Sequence, residues 1–286
     1  MKKISFLIAY FFNFMPHFIL NKFASLLAFL WVDVFGIRKD VVYANIEIAF
    51  PGTPAKLKKK WMKHSLYVLM KSLFDLFRIP FLTDRWIDNN AKFHGFEKIQ
   101  SVESCFFLCL HMASGDLAAA MISRRYKPLS LISKRFKNKY ADQFWFSIRE
   151  RSETQFIDAH GKNNAFEILK ALKSKRAVIF VMDQFMGKPY GIETIFFGKK
   201  TGTAYGLALF AQKTKKPVFP LYSYFDDLGK LNICIKPAID LSALITDDKE
   251  TSYVNITNQF NLEIEKIITE HPEQWMWVHK RWKVFE

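Results

Sequence analysis

The chain has 286 residues, enough for one large domain or a domain with an appendage, and a formal net charge of +15. Half of its residues are hydrophobic, and 30 are phenylalanine. Excess basic charge predicts an anionic partner, and the apolar excess beside it favours a membrane surface over nucleic acid. Cys105 and Cys109 would lie about 13 Å apart on one strand, too far for a disulfide. The cysteines therefore indicate a reducing, cytoplasmic setting.

Two apolar runs, residues 4–20 and 23–35, open the sequence, with two lysines before them and one between them. Lysines beside apolar runs are typical of membrane-associated segments whose charges stay on the cytoplasmic side. We therefore predict a helical membrane anchor over residues 1–38 that enters the bilayer or lies in its surface. A buried helical hairpin and a signal peptide are the alternatives, and the signal peptide is disfavoured because no small-x-small cleavage site follows the first run.

The turn Pro51-Gly52-Thr53-Pro54 predicts the start of a long helix, with Thr53 as its N-cap and Pro54 as its first residue. This helix is predicted from Ala55 to about Phe77. Five lysines fall near its start: Lys56, Lys58, Lys59, Lys60 and Lys63. Positive charge is unfavourable at a helix N-terminus. The lysines therefore either form a solvated face or bind an external anion.

Strand-like and helix-like segments alternate after residue 93. The predicted strands are Cys105–Leu110, Leu129–Ser133, Gln155–Asp158, Ala177–Met182, Val218–Tyr222 and Leu231–Lys236. The predicted helices are Leu117–Arg124, Asn138–Arg151, Asn163–Lys173, Ala204–Lys213 (with Thr203 as its N-cap) and Thr251–Glu270. Such alternation is typical of an α/β fold with a mostly parallel central sheet flanked by helices. We therefore predict an α/β domain over residues 39–286.

The stretch Ser104 to Met121, SCFFLCLHMASGDLAAAM, carries the most informative local pattern. His111 follows a buried strand, and Asp116 falls at the start of a helix, where the dipole and the free amides favour a carboxylate. Asp116 is expected to accept the proton of one ring nitrogen of His111, which leaves the other nitrogen as an oriented base. From the local pattern alone, a loop histidine that caps a helix is the more common arrangement.

Ligands of mostly parallel α/β sheets bind beyond the carboxyl ends of the strands. His111 follows one predicted strand and Asp183 follows another, so both are predicted to lie at the same edge of the sheet. The sequence lacks the glycine-rich dinucleotide and phosphate loops, zinc-ligand spacings and the G-x-S-x-G nucleophile motif. Several enzyme classes are thereby excluded, and the sequence shows no obvious nucleophilic side chain that His111 could activate as a base.

HMASGD at residues 111–116 resembles the H-x4-D/E box of membrane glycerolipid-type acyltransferases. Four further stretches, in matching order, resemble the bacterial lipid A late acyltransferases, which include lauroyl and myristoyl transferases. They are SKRFKNKYADQFWFSIRER (133–151), VMDQFMG (181–187), IFFGKKTGTAYGLALFAQKTKKPVFPLY (195–222) and PEQWMWVHKRWK (272–283), of which the last is the most specific. The lipid A members usually carry glutamate where this chain has Asp116. That departure keeps the carboxylate and leaves another glycolipid or a lysophospholipid as an alternative acceptor.

The resemblance implies a glycerol-phosphate-acyltransferase-like fold at the cytoplasmic face of a bacterial inner membrane. It implies transfer of a fatty acyl group from an acyl thioester to a hydroxyl of a lipid A precursor. His111 would be the general base and Asp116 would hold its tautomer, without a covalent acyl-enzyme. The implied donor is acyl carrier protein, an acidic protein that a basic chain attracts, or acyl-CoA. No cofactor or metal is implied.

Arg149, Arg151 and Arg135 are candidates for binding phosphate on the acceptor, because guanidinium groups match phosphate oxygens. Arg149 and Arg151 are two positions apart on a predicted helix, so only one of them is expected to face the site. Asp183 is a candidate for orienting the acceptor or a site arginine. Backbone amides near Ser114-Gly115 are candidates for stabilising an oxyanion. A non-catalytic membrane-binding protein is the alternative from another class, and no motif supports nucleic-acid binding.

Overall fold

The computed structural model describes residues 2–286. The helices are α1 (Lys2–Phe14), α2 (His17–Phe29), α3 (Lys39–Ala49), α4 (Ala55–Leu76), α5 (Asp84–Asn90), α6 (Gly115–Arg125), α7 (Lys139–Arg149), α8 (Asn164–Lys173), α9 (Gly206–Thr214) and α10 (Lys249–Glu270). The strands are β1 (Ala91–His94), β2 (Phe106–Cys109), β3 (Leu129–Ser133), β4 (Gln155–Asp158), β5 (Ala177–Val181), β6 (Gly191–Phe196), β7 (Lys199–Ala204), β8 (Val218–Phe225) and β9 (Leu231–Ile235). A turn of π-helix, Leu30–Val34, continues α2.

Seven strands form the central sheet in the order β1-β9-β8-β2-β5-β3-β4. Every neighbouring pair is parallel except β8 and β9. The strands β6 and β7 form a separate antiparallel hairpin. Helices pack against the sheet, so the predicted α/β fold with a mostly parallel central sheet is confirmed.

Strand β2 lies at the centre of this sheet, between β5 and β8, and all four of its residues are buried. Successive side chains of a strand point to opposite faces. Phe106 and Leu108 accordingly belong to the core on one side of the sheet, and Phe107 and Cys109 to the core on the other. A strand covered on both faces needs a continuous apolar run, which is why this segment was recognisable in the sequence.

All six predicted strands are present, and two of them, Leu129–Ser133 and Gln155–Asp158, have the predicted bounds. Strand β1 and the hairpin of β6 and β7 were not predicted. The hairpin carries Lys199, Lys200 and alternating small polar residues, a pattern without the apolar run that marks the central strands. The hairpin thus lacked the apolar signal of the central strands, whereas β4, which is also short and partly exposed, was predicted with the correct bounds.

Both predicted threonine N-caps are wrong. Thr203 lies inside β7, where it is fully buried and its hydroxyl accepts a hydrogen bond from Arg281 at 2.7 Å. Thr53 lies one residue before the N-cap position of α4. The N-cap residue is Pro54, and no side-chain hydrogen bond caps this helix. In each case the hydroxyl finds a partner outside the helix, so the helix begins without it.

The first two helices lie on the surface of the domain, with α1 against α7 and α2 against α4. Only a narrow stripe of α2 is buried, formed by Leu20, Ala24 and Ala28. More than half of the large exposed hydrophobic side chains of the described chain fall within residues 4–37. The stretch His17–Val34 is long and apolar enough to cross a membrane by length and composition, with a mean hydropathy of 1.4.

Candidate active site

His111 lies just beyond the carboxyl end of β2, at the edge of the sheet where ligands of this architecture bind. Its side chain is 41% exposed, so solvent or a substrate can reach the ring. The loop after it, Met112 to Ser114, contains Ala113 with a φ of +47°. A non-glycine residue in the left-handed region is uncommon, and such strain persists only where surrounding contacts fix the backbone.

Asp183 holds the imidazole. Its Oδ1 accepts a hydrogen bond from Nδ1 of His111 at 2.8 Å, and its Oδ2 accepts one from the backbone N–H of His111 at 3.0 Å. The indole N–H of Trp275 also donates to Oδ2, at 2.7 Å. With three donors around a side chain that is 2% exposed, Asp183 is a buried and fully engaged carboxylate.

Strand register explains why these two residues meet. Cys109 of β2 pairs with Val181 of β5 in a parallel ladder. Two residues beyond each strand end, His111 and Asp183 therefore stand side by side. The sequence reading placed both residues at one edge but gave the role of imidazole partner to Asp116. That assignment is corrected here, because the ring N–H of His111 donates to Asp183.

The contacts define the ionisation of the pair. Burial lowers the pKa of the His111 imidazole, but the charge and hydrogen bond of Asp183 outweigh it, so the pKa lies above its ordinary value. Burial raises the pKa of Asp183, but His111 and Trp275 bring that pKa below its usual range. A neutral His111 that donates through Nδ1 carries its lone pair on Nε2. The amide nitrogen of Gln184 lies 3.4 Å from both ring nitrogens of His111.

Asp116 is bound to a different partner, Arg149. Both Nε and Nη2 of Arg149 donate to Oδ1 of Asp116, at 3.0 and 2.6 Å, and Nη1 donates to the hydroxyl of Ser133 at 3.0 Å. The Arg149 side chain is 5% exposed and that of Asp116 is 28% exposed. The carboxylate still acts on the histidine through its charge, which contributes to raising the pKa of His111.

Helix α4 fixes the loop from behind. The hydroxyl of Ser72 donates to the carbonyl oxygen of Ala113 at 2.7 Å, and the hydroxyl of Ser114 donates to Oδ2 of Asp75 at 2.6 Å. Lys71 donates to the same oxygen of Asp75 at 2.9 Å, and all of Lys71, Asp75 and Ser114 are buried. These bonds supply the outside contacts that the left-handed Ala113 requires. The sequence reading did not identify Ser72 or Asp75, since both lie within a helix about 40 residues upstream.

The segment after α10 closes the other side of the site. The backbone N–H of Met276 donates to the carbonyl of His111 at 3.2 Å, next to the bond from Trp275 to Asp183. His279 accepts a hydrogen bond at Nε2 from the backbone N–H of Phe185, at 3.1 Å. Burial lowers the pKa of His279 to about 4, which keeps this imidazole neutral and able to accept. Residues 272–283, the last of the stretches that resemble the acyltransferases, therefore contact both members of the histidine–carboxylate pair.

The structure separates the three predicted arginines. Arg149 reaches the site through Asp116, as described above. Arg151 lies over the ring of Phe6 in α1, 4.3 Å from its centroid, and belongs to the contact between α7 and the N-terminal helix. Arg135 pairs with Asp142 at 2.7 Å and remains 40% exposed. Arg149 is thus the one of the two that faces the site, but the helical-spacing argument does not apply, because α7 ends at Arg149 and Arg151 lies in the turn after it.

Phe196 and two of the three tryptophans in residues 272–283 belong to the core. Phe196, Trp275 and Trp277 are at most 1% exposed, and the indole N–H of Trp282 donates to the Phe196 carbonyl. These side chains therefore pack inside the protein and do not line an opening at its surface. Within residues 2–286 no group of three or more histidine, cysteine, aspartate or glutamate side chains is placed to hold a metal ion.

The sequence is similar to those of known acyltransferases. The sequence profile described as "Bacterial lipid A biosynthesis acyltransferase" matches residues 4–284. A lipid A biosynthesis acyltransferase of Haemophilus influenzae is 22% identical over 240 residues, which are 82% of this chain and 72% of that protein. The lipid A biosynthesis lauroyltransferase of Escherichia coli is 23% identical over 251 residues, which are 86% of this chain and 79% of that protein.

Among solved structures, the 1-acyl-sn-glycerophosphate acyltransferase of Thermotoga maritima is similar at 14% identity, with a TM-score of 0.42 over 91% of this chain and 100% of that chain. The fold and the site define an α/β protein with a histidine–carboxylate pair at the ligand edge of its sheet. Since the family profile covers nearly its whole length, the chain belongs to the bacterial lipid A biosynthesis acyltransferase family, and it is an acyltransferase.

Proposed function

We propose that the protein transfers a fatty acyl group from an acyl thioester to a hydroxyl group of a lipid A precursor. The observation that carries this proposal is the bond from Nδ1 of His111 to the buried Asp183, which leaves Nε2 of a 41% exposed side chain to accept a proton. An imidazole held in this way is suited to act as a general base. Named relatives that act in lipid A biosynthesis support the acceptor class.

The reaction needs one proton relay. Nε2 of His111 takes the hydroxyl proton while the acceptor oxygen attacks the thioester carbonyl, which forms a tetrahedral oxyanion. When that intermediate collapses, the carbon–sulfur bond breaks and the leaving thiolate takes the proton from the imidazolium. Asp183 stabilises the imidazolium between these steps through the same hydrogen bond. Backbone amides near Ser114-Gly115 are our candidates for stabilising the oxyanion.

Asp116 and Arg149 have a supporting role in this proposal. Their ion pair connects the first turn of α6 to α7, and the Asp116 charge favours the protonated imidazole. Because the Arg149 guanidinium is occupied by Asp116 and Ser133, it is a positioning group rather than a free phosphate site. Arg135 is exposed and remains our candidate for contacting a phosphate on the acceptor.

The proposed donor is acyl carrier protein or acyl-CoA, both anionic thioesters that a +15 chain attracts. The proposed location is the cytoplasmic face of the inner membrane, supported by the apolar surface of residues 4–37. We retain one alternative acceptor class, another glycolipid or a lysophospholipid. The observation in its favour is Asp116, where lipid A members usually carry glutamate.

Two experiments test the function. Purified protein is assayed with acyl carrier protein and CoA thioesters against a lipid A precursor and against lysophospholipids, and acylation of the lipid A precursor is expected. Mass spectrometry of lipid A from cells that lack the gene is expected to show the loss of one secondary acyl chain. Acylation of a lysophospholipid alone, with unchanged lipid A, would replace the proposed acceptor with the alternative one.

A further inference from the structure

Helix α2 lies flat along α4 for its whole length. At one end Lys59 and Lys63 of α4 pair with Asp33 at 2.7 and 2.9 Å, just past α2. At the other end Arg78, just past α4, donates to the carbonyl oxygen of Met15 at 3.5 Å, just before α2. A helix bound side-on to a lysine-rich helix cannot cross the bilayer without drawing those lysines into hydrocarbon, which is costly. Although long enough to span, α2 therefore fits a position in the plane of the surface.

Helix α1 lies on the domain in the same manner. The hydroxyls of Ser5 and Ser147 are 2.6 Å apart, and the ring of Phe12 stacks on that of Phe77 at 4.8 Å. Its other face is apolar and exposed, with Leu7 and Phe14 more than 60% accessible. Both helices thus present apolar side chains outward while their inner faces are fixed, which is the arrangement of an interfacial rather than a spanning segment.

A shallow surface feature adjoins the apolar face of α2. It consists of two open depressions at the lysine-rich end of α4, and the surface that they expose is mostly apolar, with several lysines among the residues that line it. The first is lined by Pro54, Lys56, Leu57, Lys59, Lys60 and Lys63, and the second by Ser25, Ala28, Lys60, Lys63, His64 and Tyr67. We call this feature the lysine groove. Its wall therefore includes residues of α2 as well as of α4.

Two of the groove lysines have no carboxylate to neutralise them. Lys59 and Lys63 share Asp33, and Lys58, outside the groove, pairs with Glu47. For Lys56 and Lys60 no ion pair occurs within the described part of the chain, and both side chains are exposed. The sequence left open whether these lysines form a solvated face or bind an external anion. The adjacent apolar helix favours an external anion, since a surface that is apolar and basic side by side matches a lipid leaflet.

We propose that the lysine groove binds the anionic headgroups of phospholipids in the leaflet on which α1 and α2 lie. This inference rests on the proposed membrane function and adds the place and the lipid class. An acidic protein partner would match the lysines but would leave the exposed Phe18, Phe23 and Leu26 of α2 in water. A bilayer covers both features at once, because headgroups and hydrocarbon are adjacent layers.

The groove also bears on the orientation of the active site. Helix α4 carries the lysines at its start and, about 12 residues later, Ser72, which holds the carbonyl of Ala113 beside His111. Helix α7 packs against α1 and also contains Arg149, which donates hydrogen bonds to Asp116. Headgroups bound in the groove would therefore fix one end of a rigid helix whose other end supports the catalytic loop.

The test is co-sedimentation of the purified full chain with vesicles of phosphatidylcholine, alone or with added phosphatidylglycerol. The double variant Lys56→Gln/Lys60→Gln is compared with Lys213→Gln/Lys215→Gln. The second pair removes the same charge at the end of α9, just before the amino end of β8. Each lysine near an anionic surface contributes about 1 kcal/mol, so the groove variant should bind anionic vesicles roughly 30-fold more weakly. Its binding to neutral vesicles should be unchanged, and the control should remain within about threefold of the parent.

A second variant, Ser25→Glu, places a negative charge in the groove from α2 and should weaken only the anionic binding. Equal binding of the groove variant and the control would overturn the inference and leave the membrane function standing. A raised KM for acyl carrier protein, with vesicle binding intact, would also overturn it and assign the groove to the donor. Failure of the parent chain to bind any vesicle would remove the membrane function as well.

Discussion

Two carboxylates lie near His111, and their surroundings differ. Asp183 is far away in sequence, 2% exposed, and bound to the imidazole, the His111 backbone and Trp275. Asp116 is five residues away, 28% exposed, and bound to Arg149. The comparison teaches that the acid of the motif and the acid that holds the ring are different residues. The nearer acid supports the loop, and the distant one sets the tautomer.

The largest effect is expected from the ring itself. His111→Ala should lower kcat by about 10⁴-fold, because it removes the proposed general base, on which both Asp183 and Asp116 act. His160→Ala is the matched control, since His160 is exposed and follows β4 at the same sheet edge. Steady-state acylation assays measure both. Parental activity in His111→Ala would mean that the general base is wrongly assigned. Absence of activity in the parent protein as well would favour the alternative of a non-catalytic membrane-binding protein.

The next effect should come from Asp183→Asn, which keeps the shape but removes the charge. We expect kcat to fall about 10²-fold because the imidazolium loses its stabilising partner. The acid limb of the kcat/KM profile should also move to lower pH. In the parent the pKa of His111 is raised by Asp183, so the base is lost by protonation above the usual histidine range, and without the charge that loss requires more acid.

Asp158→Asn is the control for this variant. Asp158 ends β4 at the same edge and accepts a hydrogen bond from the backbone of His160. Its profile should match that of the parent. An unshifted acid limb in Asp183→Asn, or an equal shift in the control, would contradict the assignment of Asp183 as the partner of the ring.

Variants of the Asp116–Arg149 pair should have smaller effects on rate and visible effects on stability. Asp116→Asn and Arg149→Gln should each lower kcat about tenfold. They should reduce the free energy of unfolding by about 1–3 kcal/mol, because each leaves a poorly solvated partner without its bond. Since both break one interaction, the double variant should be no worse than the worse single one.

Arg151→Gln controls for loss of positive charge beside the end of α7, because Arg151 contacts Phe6 rather than the site. It should keep parental kcat. If Asp116→Asn shifted the pH profile more than Asp183→Asn does, the two carboxylates would have to exchange roles.

The smallest expected effect concerns the support of the loop by α4. Ser72→Ala removes the hydrogen bond to the Ala113 carbonyl, which is worth about 1 kcal/mol. Because this bond helps to hold Ala113 in its left-handed conformation beside His111, its loss should lower kcat about fivefold. Ser65→Ala is the control, since its hydroxyl bonds to the Met62 carbonyl within the same helix. Equal losses in the two variants, measured with thermal unfolding alongside activity, would indicate that Ser72 is only structural.

Much of the fold was predictable because buried parallel strands carry a continuous apolar signal, as in β2 and β5. His111 and Asp183 could be placed at one edge, since each directly follows such a strand. Their pairing depends on strand order and on the register of Cys109 with Val181, which a single sequence does not encode locally. With that register known, the partner of the ring follows by counting two residues.

Other site contacts had no local signal at all. Ser72 and Asp75 lie within an ordinary helical pattern, and only tertiary packing brings them to Ala113 and Ser114. The hydroxyl of Thr203 satisfies a buried arginine instead of a helix end, so the capping preference was overridden by packing. The resemblance to known acyltransferases supplied the reaction class, but it could not supply these distances.

The dependence of Asp183 on Trp275 has a consequence for how the protein is made. Ribosomes extend the chain from the amino end, so the apolar helices α1 and α2 emerge first and Trp275 emerges only after α10. The indole bond to Asp183 can therefore form only once synthesis has passed the last helix, so the surroundings of this carboxylate are among the last contacts of the protein to be completed.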